Sequence, residues 1–153
     1  MRFTSIMAAL ALVFFSSIAF AESVDDLKKN IVLDQKKLAV LENLTLSDEE
    51  SAKFWPLFRD FQEASYDLEE KQIDMILFYM KNHKSLTDEQ ASNLINLYFL
   101  TSDNRRKLLR DLAFVLEFNK VLPAKKIFRF LQVQQNIEAI EQNEISKKVP
   151  LLE

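Results

Sequence analysis

The chain contains no glycine in 153 residues, and this omission restricts its possible folds more than any other feature. Average usage of about 7% would put roughly ten glycines in a chain this long. Phosphate-cradling loops, dinucleotide fingerprints and nucleophile elbows need glycine where the backbone turns sharply or touches a ligand, so none is encoded. Asn-Gly and Asp-Gly hairpin turns are missing for the same reason, which argues against a sheet-rich fold. Cysteine is absent too. That removes disulfides, thiolate metal sites, a cysteine nucleophile and lipidated cysteine.

Helical periodicity fills the space that glycine vacates. A first helix is expected from Ser23, with Asp26 at its third position and a stripe of Val24, Leu27, Ile31, Leu38 and Leu41 running to about Asn43. A second starts at Ser47, with Glu50 completing a capping box, and runs to about Asn82. Its Phe54, Phe58, Phe61, Leu68, Met75 and Tyr79 keep a three-and-four spacing, and Pro56 inside it should bend the axis. The third starts at Thr87, with Gln90 as capping-box partner, and runs to about Asn119. Its stripe of Leu94, Leu97, Tyr98, Leu108, Leu112 and Val115 is interrupted by the polar run Thr101 to Lys107. The fourth opens with Pro123 at the first helical position and carries Ile127, Leu131, Ile137 and Ile140 until Pro150 stops what remains.

Residues 1–21 read as a secretory signal peptide. Arg2 precedes an apolar run from Ile6 to Phe20, broken only by Ser16 and Ser17, and Ala19-Phe20-Ala21 offers small residues at both A-x-A positions. An uncleaved anchor is the competing reading, but the run is shorter than the roughly 20 residues of a spanning helix. The expectation is therefore export, cleavage after Ala21, and a periplasmic protein without stable membrane insertion. Residues 22–153 would form one domain, since no Pro-rich or Gly/Ser-rich linker divides them.

Length and charge give the mature part its expected character. A helix over Asp48–Asn82 is about 50 Å long at 1.5 Å per residue. A globule of this size has a diameter near 36 Å, from a radius of gyration of about 14 Å. The domain should thus be elongated, with too little core for all of its nine Phe, three Tyr and one Trp. A cleft or a second copy of the chain would cover the surplus, the alternative being that every ring packs internally. From Leu44 to Asp74 there are nine acids and three bases; from Leu100 to Arg129 there are eight bases and three acids. The two blocks either pair and solvate helix faces or leave a basic surface for an acidic client or polyanion. Overall acidity and export argue against nucleic acid.

No metal, cofactor or catalytic constellation emerges. His83 is the only histidine, in a polar loop, and the mature chain adds only Met75 and Met80, too few soft ligands for a transition-metal site. Glu69, Glu70 and Asp74 are plentiful carboxylates without a nucleophile or electrophile set around them. The chain is read as a non-enzyme.

Leu86-Thr87-Asp88-Glu89-Gln90 reads L-T-x-x-Q, and Leu46-Ser47-Asp48-Glu49-Glu50 is a degenerate copy forty residues earlier. As capping boxes, Thr87 with Gln90 and Ser47 with Glu50 satisfy orphan amides at helix starts. The staple partners for Leu46 and Leu86 are poor, being Ser51 and Ala91. With the export signal, size and helix plan, these motifs resemble those of the Spy/CpxP-like family of periplasmic proteins over Leu44 to about Ile140. Val121 to Lys126, followed by Phe128 to Gln132, looks like the start of the last helix in such proteins.

The resemblance implies an all-α fold of four helices, two of them long, in an elongated cradle-like hairpin or bundle that dimerises. It implies an ATP-independent chaperone holding unfolded or stress-damaged envelope proteins. Other members restrain the sensor domain of an envelope-stress histidine kinase, and some sense metals. On the chaperone reading, the candidate client contacts are Arg105, Arg106, Lys107 and Arg110, then Lys125, Lys126 and Arg129. For each of these the alternative is a solvated face or an ion pair to the acidic second helix.

Overall fold

The computed structural model describes residues 29, 30 and 32–152, and among them there are four α-helices and no strand. The signal peptide, its cleavage site and the expected start of the first helix lie outside the described residues. Internal contacts divide the chain into two units that meet between Lys37 and Leu38. In the first unit, residues 29, 30 and 32–37 are helical. The second is built from the end of that helix (α1, described over 32–43), α2 (Asp48–Asn82), α3 (Asp88–Phe118) and α4 (Ala124–Ser146), with a 3-10 turn at His83–Ser85. None of these helices is long and apolar enough to cross a membrane.

Both expected capping boxes form. Ser47 Oγ accepts from the Glu50 amide at 3.2 Å, and the Glu50 carboxylate accepts from the Ser47 amide at 2.7 Å. Thr87 and Gln90 repeat the exchange at 3.2 and 3.0 Å. Each box satisfies two of the four amides that a helix start leaves unpaired. The α2 helix continues through Pro56. The proline ring is exposed, as is Ala52, whose carbonyl loses its helical donor there.

Two helix ends depart from expectation. Pro123 is the N-cap of α4 rather than its first helical residue, with φ −62° and ψ 147°. Proline's fixed φ fits either position, and the extended ψ lets its carbonyl accept from the amides of Lys126 and Ile127 at 2.9 and 3.1 Å. At the end of α3, Lys120 adopts φ 51°, the left-handed conformation that glycine normally supplies. The Lys120 amide donates to the Glu117 carbonyl at 3.0 Å and the Val121 amide to the Leu116 carbonyl at 2.9 Å. This is a Schellman closure, with buried Val121 and Leu116 as its apolar pair. In a chain without glycine, a lysine takes the left-handed position.

The α2–α3 pair is an antiparallel hairpin, and α4 runs back antiparallel to α3. The core lies at the end away from the hairpin turn. There Val40 and Leu44, Phe54 and Phe58, Leu112 and Leu116, Val121 and Leu122, and Ile127, Phe130 and Val133 are buried together. Phe130 of α4 meets Phe54 and Phe58 of α2 edge-on, with centroids 5.5 and 5.8 Å apart, an arrangement worth about 0.5–1.5 kcal/mol per pair beyond area burial. The expectation that all rings cannot pack inside is answered within this chain: Phe54, Phe58 and Phe130 do, while Phe78, Tyr98, Phe99, Phe114, Phe118 and Phe128 stay exposed.

Candidate functional site: an apolar groove at the hairpin turn

Midway along the helices the packing turns polar. Gln62 and Ser65 of α2 and Thr101 of α3 are buried, and the Thr101 hydroxyl donates back to the carbonyls of Leu97 and Tyr98 at 2.9 and 3.1 Å. Arg105 spans this seam. Its guanidinium donates to Gln72 of α2 at 2.9 Å and to Glu138 of α4 at 3.4 Å, and its side chain is only 19% exposed. The interrupted stripe in the sequence of α3 is therefore a three-helix polar joint, around a cavity of about 350 Å³. Ser65 Oγ of α2 and Gln134 Nε2 of α4 are buried without a hydrogen-bond partner among the described residues.

Beyond the joint, the helices part around an open groove of about 390 Å³. Met75, Ile76 and Tyr79 of α2 form one wall, Leu94, Ile95, Tyr98 and Phe99 of α3 the other, and Leu86 closes the end at the turn. The segment after α4 reaches this groove through Val149 and Leu152, and the Tyr79 hydroxyl donates to the Pro150 carbonyl at 2.9 Å. The two motif leucines thus serve different places. Leu46 packs against the aromatic core, and Leu86 lines the groove.

The basic candidates divide into structural and free residues. Arg105 is committed to the polar joint. Lys126 binds the Glu50 carboxylate at 2.6 Å, through the same oxygen that caps Ser47. Arg129 donates to the Asn43 carbonyl and side-chain oxygen at 3.3 and 3.4 Å, at the carbonyl end of α1 where a cation is favoured. These two residues clamp the α1–α2 connection. The Glu50 carboxyl is held below its ordinary range, first by the Lys126 hydrogen bond and then by the Ser47 amide.

The remaining four are exposed. Lys107 pairs with Asp111 at 2.8 Å and Arg106 with Asp103 at 3.8 Å. Arg110 and Lys125 have no ion-pair partner among the described residues. Exposed ion pairs of this kind contribute about 0–1 kcal/mol, so Arg106 and Lys107 remain available to a binding partner.

His83 packs its ring 5.9 Å from Tyr79, and its Nδ1 donates to the Met80 carbonyl at 2.9 Å. No group of three or more His, Cys, Asp or Glu that could hold a metal occurs among the described residues.

Sequence periodicity missed the groove, although its signal was present. Met75-Ile76-Leu77-Phe78-Tyr79-Met80 and Leu97-Tyr98-Phe99-Leu100 are unbroken apolar runs. A helix cannot turn six consecutive side chains to one face, so such runs leave apolar groups outside unless something covers them. The antiparallel hairpin brings the two runs to the same end.

The described residues are helical or in turns and short irregular segments, with an open apolar groove at the hairpin turn. Comparison with protein-family models, curated proteins and solved structures returns no match.

Proposed function

We propose that this protein is a periplasmic, ATP-independent chaperone-like protein of the Spy/CpxP type, which holds unfolded or stress-damaged envelope proteins. The observation that carries the reading is the exposed apolar surface concentrated around the hairpin turn. Ile73, Leu77, Phe78, Met80, Ile95, Tyr98, Phe99 and Leu100 are all exposed there. Apolar area is worth about 25 cal/mol per Å² on contact with an unfolded chain. Binding spread over many such side chains is reversible at each contact, so release needs no nucleotide. Arg106, Lys107 and Arg110 lie on α3 between this surface and the exposed stacked pair Phe114 and Phe118, where they would attract acidic clients over about a Debye length. A homodimer burying part of the exposed aromatic surface belongs to the same proposal, as does the cradle shape.

Light scattering of a reduced or heat-treated client tests the reading. The protein at equimolar ratio should suppress the signal without ATP, and unchanged scattering sinks the proposal. Arg106→Glu with Arg110→Glu should weaken protection of acidic clients, whereas substituting Arg105 would mainly break the polar joint. A pull-down from envelope extract that yields one sensor-kinase domain and no unfolded proteins would replace the chaperone reading with the regulator reading.

A further inference from the structure

We propose that the groove at the hairpin turn binds an extended apolar peptide segment, and that residues 149–152 occupy it as a resident stand-in that a client segment must displace. The proposal rests on the holding function above and gives it a gate.

The occupant's chemistry is legible from what already sits there. The helix frays past Ser146: the Val149 amide still donates to the Ile145 carbonyl at 3.1 Å, and Pro150, which has no amide hydrogen, ends the pattern. Val149 and Leu152 then line the groove, while Leu151 between them points away and is 90% exposed. A three-residue spacing with Pro150 inside it suits a polyproline-type extended segment laid along a surface. Its one directional bond runs from the Tyr79 hydroxyl to a main-chain carbonyl, that of Pro150. Every peptide offers such a carbonyl, so the bond selects extended backbone and no particular side chain.

The walls are otherwise aliphatic or aromatic, which selects apolar side chains on either side of that carbonyl. Occupancy is incomplete, since Leu152 remains 57% exposed, so the resident segment is poised to leave. Being tethered, it competes at an effective concentration on the order of millimolar, which weak clients do not match. A free peptide therefore sees only the fraction of molecules whose groove is vacant, and its apparent affinity falls by that fraction.

The test is fluorescence anisotropy with a fluorescein-labelled peptide of the sequence Lys-Lys-Val-Pro-Leu-Leu-Glu, added to purified protein. In Val149→Asp/Leu152→Asp the resident segment is expelled, and the peptide should bind about tenfold more tightly than to wild type, as expected if the groove is filled about nine-tenths of the time. Tyr79→Phe removes the directional bond from the resident segment and the peptide alike, so it should leave affinity nearly unchanged in the wild-type background and lower it about threefold in the Val149→Asp/Leu152→Asp background. Adding Ile95→Asp, at a half-exposed wall position that folding tolerates, should abolish binding while the far-UV melt is retained. Equal affinity for wild type and the Val149/Leu152 variant overturns the proposal, as does peptide binding that survives Ile95→Asp, or binding that appears only as the protein self-associates.

Client scattering measured on the same samples separates the two readings. Protection by wild type without any difference in peptide affinity refutes the gate and leaves the holding function standing. A tenfold gain in peptide affinity without protection supports the gate and refutes holding.

Discussion

The two ends of the three-helix unit are built from the same kinds of residue and pack in opposite ways. At one end Phe54, Phe58 and Phe130 interlock with Leu112 and Leu116 and are essentially out of water. At the other, Met75, Ile76, Leu94, Tyr98 and Phe99 flank an open groove. The difference lies in how many elements converge. The aromatic end gathers α1, α2, α3, α4 and the Val121-Leu122 turn. At the hairpin turn only α2 and α3 remain, and Val149, Pro150 and Leu152 of the segment after α4 reach them. A helix pair alone buries only the seam along which its helices touch, so a wider apolar stripe stays open unless another element covers it. What is left uncovered is the apolar groove.

The sharpest way to break this comparison is to truncate one large side chain at each end. Phe130→Ala removes edge contacts to three rings and should lose about 3–5 kcal/mol in urea denaturation. Leu94→Ala in the groove wall, already partly hydrated, should lose about 1 kcal/mol. Equal losses would mean that the groove is closed in solution.

The helices themselves were legible because their signals are local. Ser47 with Glu50 and Thr87 with Gln90 fix two starts, and Asn119 is the residue that caps α3. The core end was legible as well, since Phe54 and Phe58 keep helical spacing. Arg105 was not. In sequence it belongs to a basic run of surface character, and only the convergence of Gln72 and Glu138 from two other helices turns it inward. For Lys126 the ion pair to the acidic second helix is one of the two readings the sequence leaves open, but the particular partners of Lys126 and Arg129, Glu50 and Asn43, lie 76 and 86 residues away and carry no local signal. The groove escaped because a stripe template counts residues that match one face and passes over those that overflow it.

A second substitution sharpens the account of the aromatic end. Lys120→Gly should raise stability by about 1 kcal/mol, since a side chain at φ 51° carries a steric penalty that glycine does not. Thermal melts measure it, and a loss would mean that the lysine side chain contributes more than its strain takes away.

The smallest effect expected is in acid. The Glu50 carboxyl is depressed, so its contribution is fully present above the ordinary value of 4.5 and is lost as pH falls through its lower folded value. Melting temperature should therefore decline below about pH 5, and the decline should be shallower in Glu50→Gln, from a lower starting point. Identical slopes in the two proteins would show that the contacts of Lys126 and Ser47 to Glu50 do not bias its protonation.

The single tryptophan adds an optical consequence. Trp55 sits edge-on to Phe54 at 5.0 Å and to Phe58 at 5.7 Å, while two of the three tyrosines, Tyr79 and Tyr98, border the groove. Indole emission therefore reports the state of one end of the molecule, and the two groove phenols provide a separate absorbance signal at the other. Denaturant curves followed at the two wavelengths need not coincide. An early tyrosine transition with tryptophan emission unchanged would be the spectrum of a protein whose open, grooved end melts first while its aromatic end holds.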